Sequence, residues 1–291
     1  VNSFSRQSEL REDGFYLNGK KTFLKGIIYT AFYATGGFTA PTDDYLKKDV
    51  AEIVRQGFNA VYVKGVTVSD KFKDYCDRLG LLIIEELPSR FYNFETDSAQ
   101  TAFIEEYTAI VNSESEHPSV VLRVPLPDYI GGYDYLRRVF VDIKALDPSR
   151  PALAVSGAVY GGDGLGVYVN SLTEQGILRA VIGNENLPEG FEKAQKFAKQ
   201  NPQLLPPDAV AAMPKFVACF EPFDGLTHEN AYILLKKYEA AVQFFKDLNC
   251  FGCFASQFSD NYENVGLYSL KRLPRLVVDH RKLLKKINGA I

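Results

Sequence analysis

The chain repeats one pattern, in which a short apolar run is followed by an amphipathic helical stretch. The apolar runs are continuous and rich in β-branched residues, which is typical of parallel strands buried on both faces. The predicted strands are Phe23–Tyr29, Ala60–Lys64, Leu81–Leu87, Val120–Leu126, Ala152–Ser156, Lys215–Glu221 and Phe251–Phe258. The predicted helices are Asp43–Gln56, Asp70–Leu79, Ser98–Glu114, Tyr133–Leu146, Glu189–Gln200, Glu229–Leu248 and Pro274–Ile287.

The position of one strand, between Gly157 and Pro214, is not determined by the pattern. Either Leu165–Val169 or Ile177–Ile182 fits it. Counting one of them gives eight βα units, and eight such units favour a closed barrel. No internal repeat and no linker-like stretch divides the chain. We therefore predict the α/β class and a single (β/α)8 barrel.

The composition excludes some classes of protein and leaves the predicted fold unchanged. The 291 residues are 46% hydrophobic and 24% charged with a net charge of -3, which excludes disorder and gives no electrostatic sign of nucleic-acid binding. No apolar run approaches the roughly 18–20 residues that cross a bilayer. The start has no signal-peptide pattern and the only methionine is Met213, so we expect a piece of a longer product whose compartment is not predicted.

Cysteines and histidines give little sign of metal or redox chemistry. Cys250-Phe-Gly-Cys253 has redox-motif spacing but lies in an apolar stretch, so buried structural thiols are the favoured interpretation and a redox or metal role is the alternative. His117, His228 and His280 are scattered along the chain. We predict no metal and no cofactor.

Several segments, in order, carry a resemblance to a known family. They are Asp13-Gly-Phe-Tyr-Leu-Asn-Gly-Lys20 with Phe23-Leu-Lys-Gly26, Gly57-Phe-Asn-Ala-Val61, Tyr75-Cys-Asp-Arg-Leu-Gly-Leu-Leu-Ile-Ile84, His117-Pro-Ser-Val-Val121, and Gly266-Leu with Arg272-Leu-Pro274. Together they resemble the catalytic barrel of glycoside hydrolase family 2, the family of β-galactosidases and β-glucuronidases. The resemblance implies a barrel over residues 13–291, a junction at residues 1–12, and further domains upstream in the full-length chain.

The resemblance also implies where catalytic carboxyl groups belong. A retaining glycosidase needs a nucleophile and a proton donor about 5–5.5 Å apart. Glu221 matches the family's nucleophile at the end of the seventh strand, although a strand-terminal Glu with a purely structural partner fits as well. The donor is a Glu after an Asn, and the matching places hold Pro127 and Asp128. Asp128 is thus a weak candidate acid, because its side chain is one methylene shorter.

Other site positions of the family are changed. The second strand of the family delivers an Arg and a His, where this chain has Tyr62 and Gly65, and Ser256 replaces the Trp of the last strand. Aromatic rings stack on sugars, so Tyr160, Tyr168 or Phe223 could substitute for that Trp. The predicted ligand-contacting residues are Tyr62, Tyr168, Phe223 and Ser256.

A second motif, Ile182-Gly-Asn-Glu185, also reads like the family's acid motif. However, only about one βα unit separates Glu185 from Glu221, whereas donor and nucleophile normally lie three strands apart in the family. The residues that follow suit a turn into a helix. Glu185 is therefore interpreted as part of a turn, with a relocated acid as the alternative.

These departures favour a glycoside-hydrolase-like barrel that is catalytically inactive and serves ligand or partner binding, or scaffolding, in a larger protein. The partner would be a carbohydrate or a protein; nucleic acid is not expected. One alternative is a retaining glycoside hydrolase with Glu221 as nucleophile and Asp128 or Glu185 as acid. The other is a purely structural interaction module, since barrels host many functions.

Overall fold

A computed structural model describes residues 7–11, 14–88, 96–124, 141–152, 158–160, 166–170, 177–182, 217–220, 222–223, 225–247, 251–261 and 264–289. The strands are β1 (Ser8–Arg11), β2 (Gly14–Leu17), β3 (Lys20–Lys21), β4 (Leu24–Tyr29), β5 (Ala60–Val63), β6 (Leu82–Glu86), β7 (Val120–Val124), β8 (Ala158–Tyr160), β9 (Gly166–Asn170), β10 (Ile177–Ile182), β11 (Val217–Phe220) and β12 (Gly252–Ala255). The helices are α1 (Asp43–Arg55), α2 (Asp70–Leu79), α3 (Asp97–Ser113), α4 (Ala231–Asp247) and α5 (Val278–Gly289). A further helical stretch covers residues 141–146.

The central sheet is parallel over most of its width. Within the described ranges, seven strands run parallel in the order β7-β6-β5-β4-β12-β11-β10. The last of these strands along the chain, β12, pairs with the first, β4, with Gly252 opposite Leu24 and Ala255 opposite Ile27. A parallel barrel closes by such a pairing between its first and last strands. The predicted α/β barrel is confirmed.

The structure decides which segment is the sixth barrel strand. Ile177–Ile182 forms β10 and pairs in parallel with β11, as a barrel strand does. The alternative at Leu165–Val169 is wrong, because Gly166–Asn170 forms β9 and pairs antiparallel with β10. Both segments are short apolar runs, and periodicity does not distinguish parallel from antiparallel partners. For the predicted fifth strand, Ala152 makes a parallel bridge to Arg123, and residues 153–156 lie outside the described ranges.

A small antiparallel sheet precedes the barrel strands. Its order is β1-β2-β3, and β1 pairs with β2 from Ser8 opposite Leu17 to Arg11 opposite Gly14. The hydroxyl of Ser8 donates a hydrogen bond of 2.8 Å to the backbone carbonyl of Val121 in β7, so this sheet contacts the barrel. The boundary between a junction at residues 1–12 and a barrel at 13–291 stays a prediction.

The helices bury one face each against the sheet. In α1 the buried apolar residues Leu46, Val50 and Ile53 recur at helical spacing, as predicted. Gly80 ends α2 with φ 76°, a left-handed conformation that glycine adopts without steric cost. The last helix begins at Val278 and not at Pro274, because Pro274 makes an antiparallel bridge to Tyr268. No helix within the described residues is long and apolar enough to cross a membrane.

Two of the cysteines lie in the core. Cys76 and Cys253 are buried, and for Cys253 burial is what the interpretation as a structural thiol expects. The side chains of Cys219 and Cys250 lie outside the described part of the chain. The main apolar core lies inside the barrel and between its strands and helices.

A cluster of buried charges lies outside the barrel, between β6, β7 and the helices. We call it the Arg123 cluster, and it consists of Lys73, Glu85, Glu114, Arg123 and Asp147. Arg123 forms ion pairs with Glu114, with Asp147 at 3.0 Å and with Glu85 at 3.6 Å. Lys73 Nζ lies 2.6 Å from a Glu114 carboxylate oxygen. A buried charge is tolerated only when it is paired, and in this cluster each charged side chain has an opposite neighbour.

The pKa values of the two glutamates of the cluster are shifted in opposite directions. Burial, together with the neighbouring Glu114 charge, raises the pKa of Glu85 well above its usual value. Burial also acts on Glu114, but the charges of Arg123 and Lys73 outweigh it and lower the pKa of Glu114. Of the two carboxyl groups, Glu85 therefore binds a proton more readily than Glu114.

Candidate active site

The carboxyl ends of the parallel strands meet at one face of the barrel, which is where barrel enzymes place their active sites. The described strand ends at this face are Tyr29, Val63, Glu86, Val124, Ile182, Phe220 and Ala255. Any side chain that points into the barrel near these residues belongs to the candidate site.

The interior next to this face is filled by aromatic rings. The ring of Tyr62 on β5 meets the ring of Phe254 on β12 edge-on, with 5.7 Å between the centroids. Gly26, on the strand between them, makes room for Phe254, because a Cβ at that position would lie 2.0 Å from two carbons of the ring. Tyr62 is only 1% exposed. These two rings therefore occupy the space between β5 and β12 on this side of the barrel interior.

Glu86 is an interior carboxyl group that the sequence analysis missed. It is the last residue of β6, it is 1% exposed, and its Oε2 accepts a hydrogen bond of 2.6 Å from the hydroxyl of Tyr62. Its neighbour Glu85 points to the opposite face of the strand, toward the Arg123 cluster. A glutamate at the end of an apolar run was the signal that singled out Glu221, and the same signal marks Glu86.

The turn after β5 is built around Gly65. Its φ is +64°, in the left-handed region that side-chain-bearing residues rarely adopt, although no atom lies within 4 Å of the position of a Cβ. A histidine at this position would be strained by the backbone alone. At this position of the turn there is therefore backbone and no side chain.

The remaining predicted ligand contacts are spread over separate parts of the fold. Ser256 directly follows β12, is 9% exposed, and is joined to Gln257 by a cis peptide bond. Phe223 is fully buried and packs against Tyr238 of α4, with 5.6 Å between the ring centroids. Tyr168 lies in β9, opposite Ala158 and Arg179, and its side chain is outside the described part. The structure brings Tyr62 next to Phe254 and Glu86.

The three candidate catalytic carboxyl groups, Asp128, Glu185 and Glu221, lie outside the described residues. Strands that precede Glu185 and Glu221 in the chain are described. Glu221 directly follows β11, the parallel strand between β10 and β12. Glu185 follows β10, which pairs directly with β11, so Glu185 and Glu221 follow neighbouring strands.

Among the described residues, one group of side chains has the spacing of metal ligands. It consists of Asp74, Asp77 and His117, and it lies near the end of α2 and the start of β7. The end of α2 and the residues just before β7 lie at the amino ends of β6 and β7. This is the side of the barrel opposite the candidate active site. A metal at this group would take no part in chemistry at the mouth.

Comparisons with known proteins agree with the fold. Residues 8–203 match the family described as "Glycosyl hydrolases family 2, TIM barrel domain". The chain is 28% identical over 177 residues to a β-glucuronidase of Chlorocebus aethiops, covering 57% of this chain and 26% of that protein. It is 30% identical over 119 residues to a β-galactosidase of Thermoanaerobacterium thermosulfurigenes, covering 40% of this chain and 16% of that protein.

A solved structure covers nearly the whole chain. The family 2 β-galacturonidase of Eisenbergiella tayi, bound to galacturonate, superposes with a TM-score of 0.76 at 16% identity, over 98% of this chain and 54% of that chain. Identity at this level shows the fold alone. The chain spans about a quarter of the length of the curated β-glucuronidases that it matches.

Proposed function

Because the chain belongs to the TIM barrel domain family of glycosyl hydrolases family 2, we propose that it is a glycosidase-like barrel that has lost hydrolysis. In this proposal the domain binds a carbohydrate or protein ligand, or supports neighbouring domains, within a larger protein. The fold is that of the hydrolases, but function depends on the site and not on the fold.

The observation that carries the proposal is the packing of Tyr62. The family resemblance places an Arg at this position and a His at Gly65, and both would present polar groups to a sugar. Here the Tyr62 ring is buried against Phe254, its hydroxyl donates a hydrogen bond to Glu86, and Gly65 has no side chain. An uncharged, buried phenol does not replace a guanidinium that reaches a ligand.

The acid position supports the same conclusion. A retaining mechanism requires a proton donor about 5–5.5 Å from the nucleophile, and catalytic geometry tolerates errors of about 0.5 Å. Pro127 and Asp128 stand where the resemblance places Asn and Glu. Proline has no side-chain amide to donate to a sugar hydroxyl, and the Asp128 carboxyl group is about one bond shorter in reach.

One observation favours hydrolysis as a second candidate function. Glu221 directly follows β11, which is a parallel barrel strand, so it lies in the segment where the resemblance places the nucleophile. In that case Glu221 would attack the anomeric carbon and a carboxylic acid, Asp128 or Glu185, would protonate the leaving oxygen. Water would then release the sugar from the enzyme.

The test is hydrolysis of activated aryl glycosides, including β-glucuronides, β-galactosides and β-galacturonides, by the wild-type chain, Glu221→Gln and Glu105→Gln. A good leaving group needs little acid assistance, so the assay detects the nucleophile even if the acid is absent. Glu105 is exposed on α3, so its variant removes the same charge far from the mouth.

We expect no turnover by the wild-type chain, or equal traces with all three proteins. Turnover that disappears in Glu221→Gln and persists in Glu105→Gln would overturn the proposal in favour of a retaining hydrolase. Equilibrium dialysis with the same glycosides then tests binding. Retained saturable binding without turnover supports a carbohydrate ligand, whereas its absence leaves a protein partner or a purely structural module.

A further inference from the structure

We propose that the loop after β4 binds a carbohydrate, with the ring of Phe38 stacked on a pyranose ring. We call residues 30–42 the Phe38 loop. It joins the carboxyl end of β4 to the start of α1, so it lies at the rim of the barrel mouth. This inference rests on the carbohydrate ligand of the proposed function and adds the surface that would hold it.

Phe38 is an aromatic side chain that a ligand at the mouth can reach. Among the described residues, Phe38 and Tyr232 are the aromatic side chains that are more than half exposed, each at 55%. Tyr232 lies on α4, whereas Phe38 lies in a loop that directly follows a barrel strand. Phe223, which the sequence suggested as a stacking ring, is fully buried.

The barrel interior next to β4 is already occupied. β4 lies between β5 and β12, and the rings of Tyr62 and Phe254 meet across Gly26. A ligand on this side of the mouth therefore meets the Phe38 loop and not the space between these strands.

The loop holds the Phe38 ring in place. Phe32 contacts Phe38 with 5.3 Å between the ring centroids and 70° between the ring planes. The carbonyl of Phe32 accepts a hydrogen bond of 3.1 Å from Arg272 Nη1, and the amide of Tyr33 donates one of 2.7 Å to the carbonyl of Gly37. A ring that is fixed before the ligand arrives loses little conformational entropy on binding.

The backbone around the loop is strained, which is a separate observation. Ala31 has φ 48° and Arg272 has φ 60°, and they are two of the three described residues other than glycine with positive φ. Arg272 is kept there by its 2.9 Å ion pair with Asp49 and by its position 4.4 Å from the centre of the Tyr33 ring. Strain that is maintained by surrounding contacts is concentrated at active sites and ligand clamps. Here these contacts fix the segment that carries Phe38.

The chemistry of the loop favours a sugar over a protein partner. The exposed neighbours Thr35 and Thr39 carry hydroxyl groups on either side of Phe38 in the chain. A β-pyranoside has an apolar face formed by its axial C–H groups, which an aromatic ring can cover, and hydroxyl groups at its edge, which threonines can bind. A protein interface needs a larger apolar patch, of several hundred Å², than one ring between two threonines provides.

The test uses the full chain and three probes without an aromatic group: methyl β-D-glucuronide, methyl β-D-galactoside and methyl β-D-galacturonide. Saturation-transfer NMR titrations measure Kd and identify the sugar protons that contact the protein. Phe38→Ala removes the ring, and Phe38→Tyr keeps a ring that can stack. The matched control is Tyr232→Ala, which removes an equally exposed ring from α4. Circular dichroism checks that the variants are folded.

We expect saturable binding by the wild-type chain, with most saturation on the axial H1, H3 and H5 protons. Phe38→Ala should weaken binding by about threefold to tenfold and remove the preference for these protons. Phe38→Tyr and Tyr232→Ala should each change Kd by less than about twofold.

The proposal is wrong if the wild-type chain binds none of the three glycosides, or if Tyr232→Ala weakens binding as much as Phe38→Ala. Binding that is unchanged by Phe38→Ala refutes the Phe38 loop and leaves the carbohydrate ligand of the proposed function in place. Turnover of the glycosides refutes the proposed function instead. The Phe38 loop is then tested by KM, which Phe38→Ala should raise by the same factor, and an unchanged KM overturns it.

Discussion

The Arg123 cluster predicts opposite results for the same substitution at two neighbouring glutamates. The pKa of Glu85 is raised and that of Glu114 is lowered, so we expect Glu85 to be the protonated one of the two, and the uncharged amide of Glu85→Gln can take its place. We expect Glu85→Gln to be within about 1 kcal/mol of wild type, or more stable, because an uncharged group replaces one that resists ionisation. Glu114→Gln instead removes the charge that faces two buried cations.

The size of the second effect follows from the contacts. Glu114 pairs with Lys73 at 2.6 Å and with Arg123, and both cationic side chains are 2% exposed. Each cation keeps a second partner, Asp70 at 3.6 Å for Lys73 and Asp147 at 3.0 Å for Arg123. We therefore expect the loss of one buried pair, about 3–5 kcal/mol, and not of two. At about 2–4 °C per kcal/mol this lowers Tm by roughly 6–20 °C.

The assay is urea unfolding followed by circular dichroism, because the chain has no tryptophan to report by fluorescence. It is repeated from pH 5 to pH 9. Because folding raises the pKa of Glu85, protonation of this group stabilises the folded state. This stabilisation is fully present below the pKa of the unfolded state and is lost as pH rises through the pKa of the folded state. Glu85→Gln should remove that loss of stability with rising pH. Equal destabilisation by the two variants at neutral pH would refute the assignment of the proton to Glu85.

Three further substitutions test the packing of the barrel interior and the loss of stability at acid pH. Tyr62→Phe removes the hydrogen bond to the buried Glu86 carboxyl group, and we expect a loss of about 1.5–3 kcal/mol in urea unfolding. Gly26→Ala places a Cβ against the Phe254 ring and should cost about 1–3 kcal/mol, with part of the loss recovered when Phe254 is shortened to Leu. Burial opposes ionisation of Asp147, yet its hydrogen bonds and ion pairs lower its pKa to about 2. Ionised Asp147 therefore adds about 2 kcal/mol to the free energy of unfolding above pH 4, and this stabilisation is lost toward pH 2. When urea unfolding at pH 6 and pH 3 is compared, Asp147→Asn should not show this loss.

The sequence pattern predicts the barrel because the fold depends on many independent, repeated signals. Continuous β-branched runs give the buried strands, and Gly80 gives the end of α2. The sixth strand was ambiguous because Gly166–Asn170 and Ile177–Ile182 have the same local pattern and differ only in the direction of their partners. Direction of pairing is a tertiary property, and a single segment does not carry it.

The candidate site was predictable only in part, and for a related reason. The departures at Tyr62 and Gly65 are visible in the sequence, but the burial of the Tyr62 ring against Phe254 is not. Glu86 escaped notice because it follows another glutamate, and only the strand's alternation shows which of the two points into the barrel. The Arg123 cluster and the Asp74–Asp77–His117 group join residues from separate helices and strands, which local periodicity cannot bring together.

The pairing of β12 with β4 has a consequence for how the protein is made. The first barrel strand to leave the ribosome pairs on one side with the last, so its edge near Leu24 stays open until residues 252–255 have been synthesised. An uncovered apolar strand edge can pair with another chain, and contacts so distant in sequence form slowly. Chains truncated before β12 should therefore depend on chaperones and aggregate when these are scarce, even though most of the barrel's sequence is present.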